Sequence, residues 1–116
     1  AKADTLGEDL TLSEKKRLEI ARALAVKPKL LLLDECFAGL SPSDVDRQVK
    51  LIQRICKELS ITILLVEHVL RATMALCERI VVIAAGEIVA DGSPAEVVRN
   101  EKVIEVYLGR GRAANA

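Results

Sequence analysis

Two adjacent carboxylates, Asp34 and Glu35, close the aliphatic run Leu30-Leu31-Leu32-Leu33, and a lone imidazole, His68, stands just past a second run, Ile63-Leu64-Leu65-Val66. The chemistry open to these residue types is phosphoryl transfer. One carboxylate offers hard oxygen to Mg²⁺. The next can orient or deprotonate a water aimed at a terminal phosphate, and an imidazole on a neighbouring strand end can hydrogen-bond that phosphate. Thr11-Leu12-Ser13-Glu14 has the S/T-x-x-E form of a capping box, and the N–H groups from Leu12 to Lys15 would form an anion site at a helix start. The sequence holds no G-x-x-x-x-G-K-[ST] loop to cradle phosphates. Taken singly, such an acidic strand end is common in α/β sheets and a lone histidine is more often structural; the chemistry requires that they meet.

Meeting depends on the elements around them. Apolar runs as short as Leu30–Leu33 and Ile61–Val66 suit strands buried on both faces. A helix should follow Thr11 through about Val26, with Leu18, Ala21, Leu24 and Ala25 as its apolar stripe. Ser41-Pro42-Ser43-Asp44 starts a second helix, on which Val45, Val49, Ile52, Ile55, Cys56 and Leu59 recur at helical spacing. A short helix spans roughly 69–77, and 79–84 with 87–90 read as a hairpin or adjacent strands around Ala85-Gly86. Ser93-Pro94-Ala95-Glu96 starts a small helix, and Lys102–Leu108 adds a last helical turn or two. Alternation of this kind predicts the α/β class with a mainly parallel sheet and flanking helices. If the first two strands are parallel neighbours, Asp34-Glu35 and Glu67-His68 share the edge where open α/β sheets bind ligands.

Composition narrows the field. The chain has 116 residues, 51% of them hydrophobic, enough for one modest core. Seventeen basic and seventeen acidic residues cancel, which argues against nucleic acid as a partner. Phe37 and Tyr107 are the only aromatic residues, so base-stacking platforms are absent. Cys36, Cys56 and Cys77 fit neither a zinc motif nor a disulfide framework and read as small hydrophobes in a reducing compartment. No apolar run approaches the ~20 residues of a membrane span, so any link to a membrane goes through a partner. Among the remaining residues, Lys15-Lys16-Arg17 reads as a solvated face, Glu67 as a strand-end surface acid, Met74 as core, and Tyr107 and Leu108 as packing. The terminal stretch Gly109 to Ala116 reads as a frayed tail.

In order and spacing these residues resemble one family, the nucleotide-binding subunits of ABC transporters, over about 10–109 and against the carboxyl-terminal half of that family's ATPase domain. Leu10-Thr11-Leu12-Ser13-Glu14 and the helix after it resemble the signature motif; Leu30 to Glu35 resembles Walker B with its glutamate. Ala38-Gly39-Leu40-Ser41 is similar to the D-loop, and His68 to the switch histidine. The departures are specific. Leu12 and Ser13 replace the two signature glycines, Glu14 replaces the glutamine, Cys36 stands where the family usually has Pro, and Ser41 where it usually has Asp. Val66-Glu67-His68, 74–79 and 103–109 further resemble the branched-chain (hydrophobic) amino-acid importer ATPases; the lipopolysaccharide-export ATPase has a similar carboxyl end.

The resemblance implies part of a P-loop NTPase fold of the RecA-like, three-layer kind, divided into a signature loop and helix over 1–28, a Walker B, D-loop and switch-histidine core over 29–92, and carboxyl-terminal helices and tail over 93–116. It implies ATP and Mg²⁺ as cofactors, with Asp34 on the metal, Glu35 as general base and His68 at the γ-phosphate. Thr11, Leu12, Ser13, Glu14 and Ser41 would reach ATP held by a second ABC ATPase subunit across a head-to-tail dimer. Transmembrane permease subunits would be the further partners, and the cytoplasmic face of the inner or plasma membrane the peripheral location. The phosphate loop, adenine-stacking aromatic and Q-loop are missing, so these residues alone should hydrolyse ATP poorly or not at all. Two other classes remain open: a non-transport ABC ATPase, and a non-catalytic dimerisation or interaction fragment.

Overall fold

A computed structural model of the chain describes residues 2–109; the tail beyond Gly109, expected to fray, lies outside them. The chain divides into two units, Ala1–Leu76 and Cys77–Ala116.

The first unit follows a short 3₁₀ turn at Gly7–Asp9 with α1 (Leu12–Leu24), β1 (Leu30–Asp34), α2 (Pro42–Leu59), β2 (Thr62–Val66) and α3 (Leu70–Leu76). Local chemistry sets the boundaries. Thr11 caps α1 in a complete capping box with Glu14. Ser41 caps α2, with Pro42 at the first helical position. Lys27 takes a positive φ of 51°, which with Pro28 breaks the helix before β1. β1 and β2 pair in parallel, from Leu30 opposite Thr62 to Asp34 opposite Val66.

Burial departs from expectation in two ways. Leu31 and Leu33 are buried in a cluster with Ile20, Phe37, Val45, Val49, Ile52 and Ala72, so α1, α2 and α3 all pack on one face of the pair. The opposite face, Leu30, Leu32, Leu64 and Val66, is more than half exposed. The strands have the composition of a doubly covered sheet, and the first unit supplies one cover. On α1 the core-facing side is Ile20, Ala23 and Leu24, spaced i, i+3, i+4, while Leu18, Ala21 and Ala25 are exposed. The helix is apolar on two sides, and its pattern alone did not say which faces inward.

In the second unit β3 (Ile80–Ala84) and β4 (Glu87–Gly92) form an antiparallel pair with a register shift at Val82/Ile83. Ala85 and Gly86 both have positive φ, 50° and 80°, the conformation of a two-residue hairpin turn. The α/β class stands, but parallel pairing among the described residues is confined to β1 and β2. Two residues cannot make the crossover that parallel neighbours need. Then come α4 (Pro94–Arg99), capped by Ser93, α5 (Glu101–Ile104), capped by Asn100, and a π-type turn over Glu105–Gly109. Ile80, Val82, Ala90, Val97 and Val103 are the unit's buried residues among those described.

Candidate functional site

Parallel register brings the carboxyl ends of β1 and β2 to one edge. Asp34 lies opposite Val66, and the ladder runs one step further through a 2.8 Å bond from the Glu35 N–H to the Val66 carbonyl. Glu35 has a positive φ of 49°. That is an uncommon backbone for a residue with a Cβ, and such strain is characteristic of sites that must aim a side chain. The Glu35 carboxylate lies 3.6 Å from His68 Nδ1, both side chains well exposed. The two predicted partners therefore meet.

Asp34 is exposed at the end of β1, and no cation lies within ion-pair distance of it among the described residues. Its oxygens remain open to a hard cation. No group of three or more His, Cys, Asp or Glu side chains capable of holding a metal occurs among the described residues. The donor set thus fits a Mg²⁺ that takes most of its ligands from water and phosphate, as Mg²⁺ prefers. It does not fit a resident all-protein metal site.

Glu67, read from sequence as a surface acid, has a fully buried side chain. One oxygen accepts the Phe37 N–H at 3.1 Å, and the other accepts the N–H groups of His68 and Val69 at 3.1 Å each. Sequence alone hid this, because a carboxylate at a strand end ordinarily points to solvent. Its charge, together with burial as the larger cause, pushes the neighbouring Cys36 thiol up to about 11, so Cys36 is unreactive at neutral pH.

A second locus lies at the amino end of α1. Thr11, Leu12, Ser13, Glu14 and Ser41, all five residues expected to reach a nucleotide, line one cleft of about 530 Å³. The capping box occupies the Thr11 and Glu14 amides, at 2.9 and 3.3 Å. Glu14 is thereby turned back onto the helix end, and its carboxyl is held below the ordinary value first by the Thr11 N–H and then by Lys2. The Leu12 and Ser13 amides, in the first turn where no intrahelical acceptor exists, are left for a ligand. Leu12 folds over the following loop: a Cβ on Gly39 would sit 2.9 Å from Leu12 Cδ2, and Gly39 has φ +76°. Ser13 donates to Asp44 at 3.4 Å, so the two segments are joined by polar as well as apolar contact. Arg17 and Arg47 line the same cleft together with the carboxylates of Glu14 and Asp44, and Arg47 lies 3.5 Å from Asp44. Arg17, expected to be solvated, is half-buried with its Nε unpartnered among the described residues.

No helix among the described residues is long and apolar enough to cross a membrane.

Comparison with known proteins bears on the family and the fold. Residues 1–38 match the family described as ABC transporter, and residues 87–113 the family described as branched-chain amino acid ATP-binding cassette transporter. The chain is 41% identical over 106 residues to the lipopolysaccharide export system ATP-binding protein LptB of Escherichia coli K12, covering 91% of this chain and 44% of that protein. It is 41% identical over 100 residues to the high-affinity branched-chain amino acid transport ATP-binding protein BraF of Pseudomonas aeruginosa, covering 86% of this chain and 39% of that one. Among solved structures, cbiO1 from Clostridium perfringens, part of the ABC transporter complex cbiONQ, superposes with a TM-score of 0.77 at 34% identity, covering 97% of this chain and 47% of that one. The chain thus spans less than half the length of these relatives. It belongs to the ABC transporter ATP-binding family, with part of that family's P-loop NTPase fold.

Proposed function

We propose that this chain supplies the hydrolytic edge of an ABC transporter ATPase subunit, and that the phosphate-cradling part comes from additional polypeptide. The observation that carries the reading is the convergence of Asp34, Glu35 and His68 at the end of the parallel pair, with Glu35 and His68 3.6 Å apart. Glu35, aimed outward by its positive φ, orients a water and takes its proton. His68 donates a hydrogen bond to the γ-phosphate, and Asp34 holds Mg²⁺, through water. When bound, Mg²⁺ would neutralise charge on the phosphate oxygens.

The amino end of α1 serves a second nucleotide, bound on a partner ATPase subunit in a head-to-tail dimer. Its free Leu12 and Ser13 amides, with Arg17 and Arg47 nearby, suit a terminal phosphate. Ser41 and its loop, in contact with α1 through Leu12 and Ser13, link the two loci. Transmembrane permease subunits would be the further partners, which places the assembly peripherally at the cytoplasmic membrane face. For the transported solute we favour branched-chain amino acids, because residues 87–113 match that transporter family specifically. The equal 41% identity to LptB keeps lipopolysaccharide export as the second reading.

The test is a graft. This chain replaces the matched stretch of the Escherichia coli relative, and Mg·ATP hydrolysis is followed. Turnover by the graft, lost on Glu35→Gln, is expected; the chain by itself should turn over slowly or not at all. A folded, nucleotide-binding graft without turnover, or turnover unchanged by Glu35→Gln, rejects the reading.

A further inference from the structure

We propose that Glu67 is a positioning residue, whose buried carboxylate sets the spacing between Glu35 and His68. Only the catalytic consequence rests on the function proposed above; the geometric claim stands on its own.

Glu35 and His68 cannot hold each other. Both side chains are more than half exposed, and exposed pairs at such distances contribute little. Their spacing must come from the backbone beneath them. The β1–β2 ladder ends at the Glu35 N–H to Val66 carbonyl bond. Past that point no backbone hydrogen bond crosses between the loop after β1 and the loop after β2 among the described residues. Glu67 makes the crossing instead. One oxygen takes the Phe37 N–H from the first loop, and the other takes the His68 and Val69 N–H groups from the second. A carboxylate is planar and rigid, so these bonds fix two loop backbones to one small group.

Burial makes the arrangement exacting. An ionised carboxylate with no exposed surface is costly unless its oxygens are satisfied, and here N–H groups do so. A local turn of the Glu67 side chain onto the two amides that follow it explains the His68 and Val69 bonds, but not the one to Phe37, which belongs to another segment. Phe37, 1% exposed in the core, ties that segment to the unit's interior. The loop carrying Glu35 is thus anchored below by Phe37 and sideways by Glu67.

Two measurements test this. In the unsubstituted chain, amide exchange at Phe37 should be slower by about tenfold or more than at exposed loop amides, although Phe37 lies outside every helix and strand. Glu67→Gln keeps the length but turns one acceptor into a donor, so exchange should accelerate at Phe37 or at His68 and Val69 while α2 stays protected. In the graft, the same change should lower kcat by about 10- to 100-fold, the effect of a small misplacement at a reacting centre, with KM for ATP changed less than about threefold. Glu58→Gln, on the exposed end of α2, is the control expected to change neither. A purely structural role would lower the melting point and leave kcat of the folded protein intact. An unprotected Phe37 amide, or a folded Glu67→Gln graft with parental kcat, overturns the proposal. If Glu67→Gln does not fold, the exchange pattern of the unsubstituted chain decides. A graft that binds nucleotide without turnover, with Phe37 protected, rejects the hydrolytic function and upholds the spacing role.

Discussion

The β1–β2 pair and the β3–β4 hairpin are built from nearly the same side chains, Leu30 to Leu33 with Ile63 to Val66 in one, Ile80 to Ile83 with Ile88 and Val89 in the other. Direction separates them. Parallel pairing delivers two carboxyl-terminal strand ends to one edge, each followed by a loop, and there Asp34, Glu35, Glu67 and His68 gather. Antiparallel pairing spends one end of the hairpin on the tight turn Ala85-Gly86. At its other end Arg79 and Asp91 pair with each other through two bonds of 2.8 and 2.7 Å, leaving no open carboxylate beside an imidazole. The lesson is that strand direction, more than strand composition, decides where a site can be assembled.

The comparison breaks most sharply on Glu35. In the graft, Glu35→Gln should reduce kcat by about a thousandfold, within the range for loss of a general base. Glu87→Gln, a carboxylate at the turn end of the hairpin, should leave kcat unchanged within about twofold. Equal losses from the two changes would mean that position on the parallel edge confers nothing. Steady-state ATP hydrolysis reads both.

Stability offers a second contrast. Phe37 fills the interior of the first unit and also anchors the loop bearing Glu35. Phe37→Ala should cost about 3–5 kcal/mol and abolish turnover. Val97, equally buried in the second unit, should cost about 2 kcal/mol on substitution by Ala. Denaturant midpoints would show whether the two units unfold together. A single coincident transition for both variants would mean that the units are not independently stable.

These contrasts also show what the sequence could carry. The three helix starts at Thr11, Ser41 and Ser93 were legible because capping is local: the donor and the acceptor lie within four residues, and a proline follows Ser41 and Ser93. The meeting of Glu35 and His68 was legible because a parallel pair has a fixed geometry once its two strands are recognised. Glu67 was not, since its partners at Phe37 and Val69 come from two loops whose approach no local pattern encodes. Nor was the open face of Leu30, Leu32, Leu64 and Val66. An apolar run reports what a strand is built to bury, not whether this chain provides the cover. The inward side of α1 was legible only in part, for a related reason: Leu24 packs inward as its stripe implied, but Leu18 and Ala21 are as apolar as Ile20 and Ala23, and packing selected the second pair.

The capping boxes sharpen the comparison further, because the two units use the same device. Thr11 and Glu14 in one, Ser93 and Glu96 in the other, exchange side-chain and backbone bonds across three residues. Thr11→Ala and Ser93→Ala should each cost about 1 kcal/mol of stability. Their effects on nucleotide should diverge. Thr11 lines the cleft that holds the free Leu12 and Ser13 amides, so its loss should weaken ATP-dependent dimerisation of the graft by about tenfold. Ser93→Ala should leave dimerisation unchanged. Matched melting shifts with matched dimerisation would reduce the α1 box to a helix cap.

The smallest effect belongs to the Arg79–Asp91 pair. It is exposed, so its contribution is modest and salt-sensitive. The sign of its pH dependence is nevertheless fixed. Hydrogen bonding to Arg79, reinforced by its charge, holds the Asp91 carboxyl below the ordinary value of 3.8. A depressed carboxylate stabilises the folded chain above its unfolded value, and that contribution is lost as pH falls through the folded one. Asp91→Asn should therefore lower the melting temperature slightly at neutral pH, by less than either capping variant, and the gap from the parent should close as pH falls below the ordinary aspartate range. Melting curves of the parent and Asp91→Asn, taken across acid pH at low and high salt, check this. A gap that persists unchanged at low pH would show that Asp91 acts through hairpin packing and not through its charge.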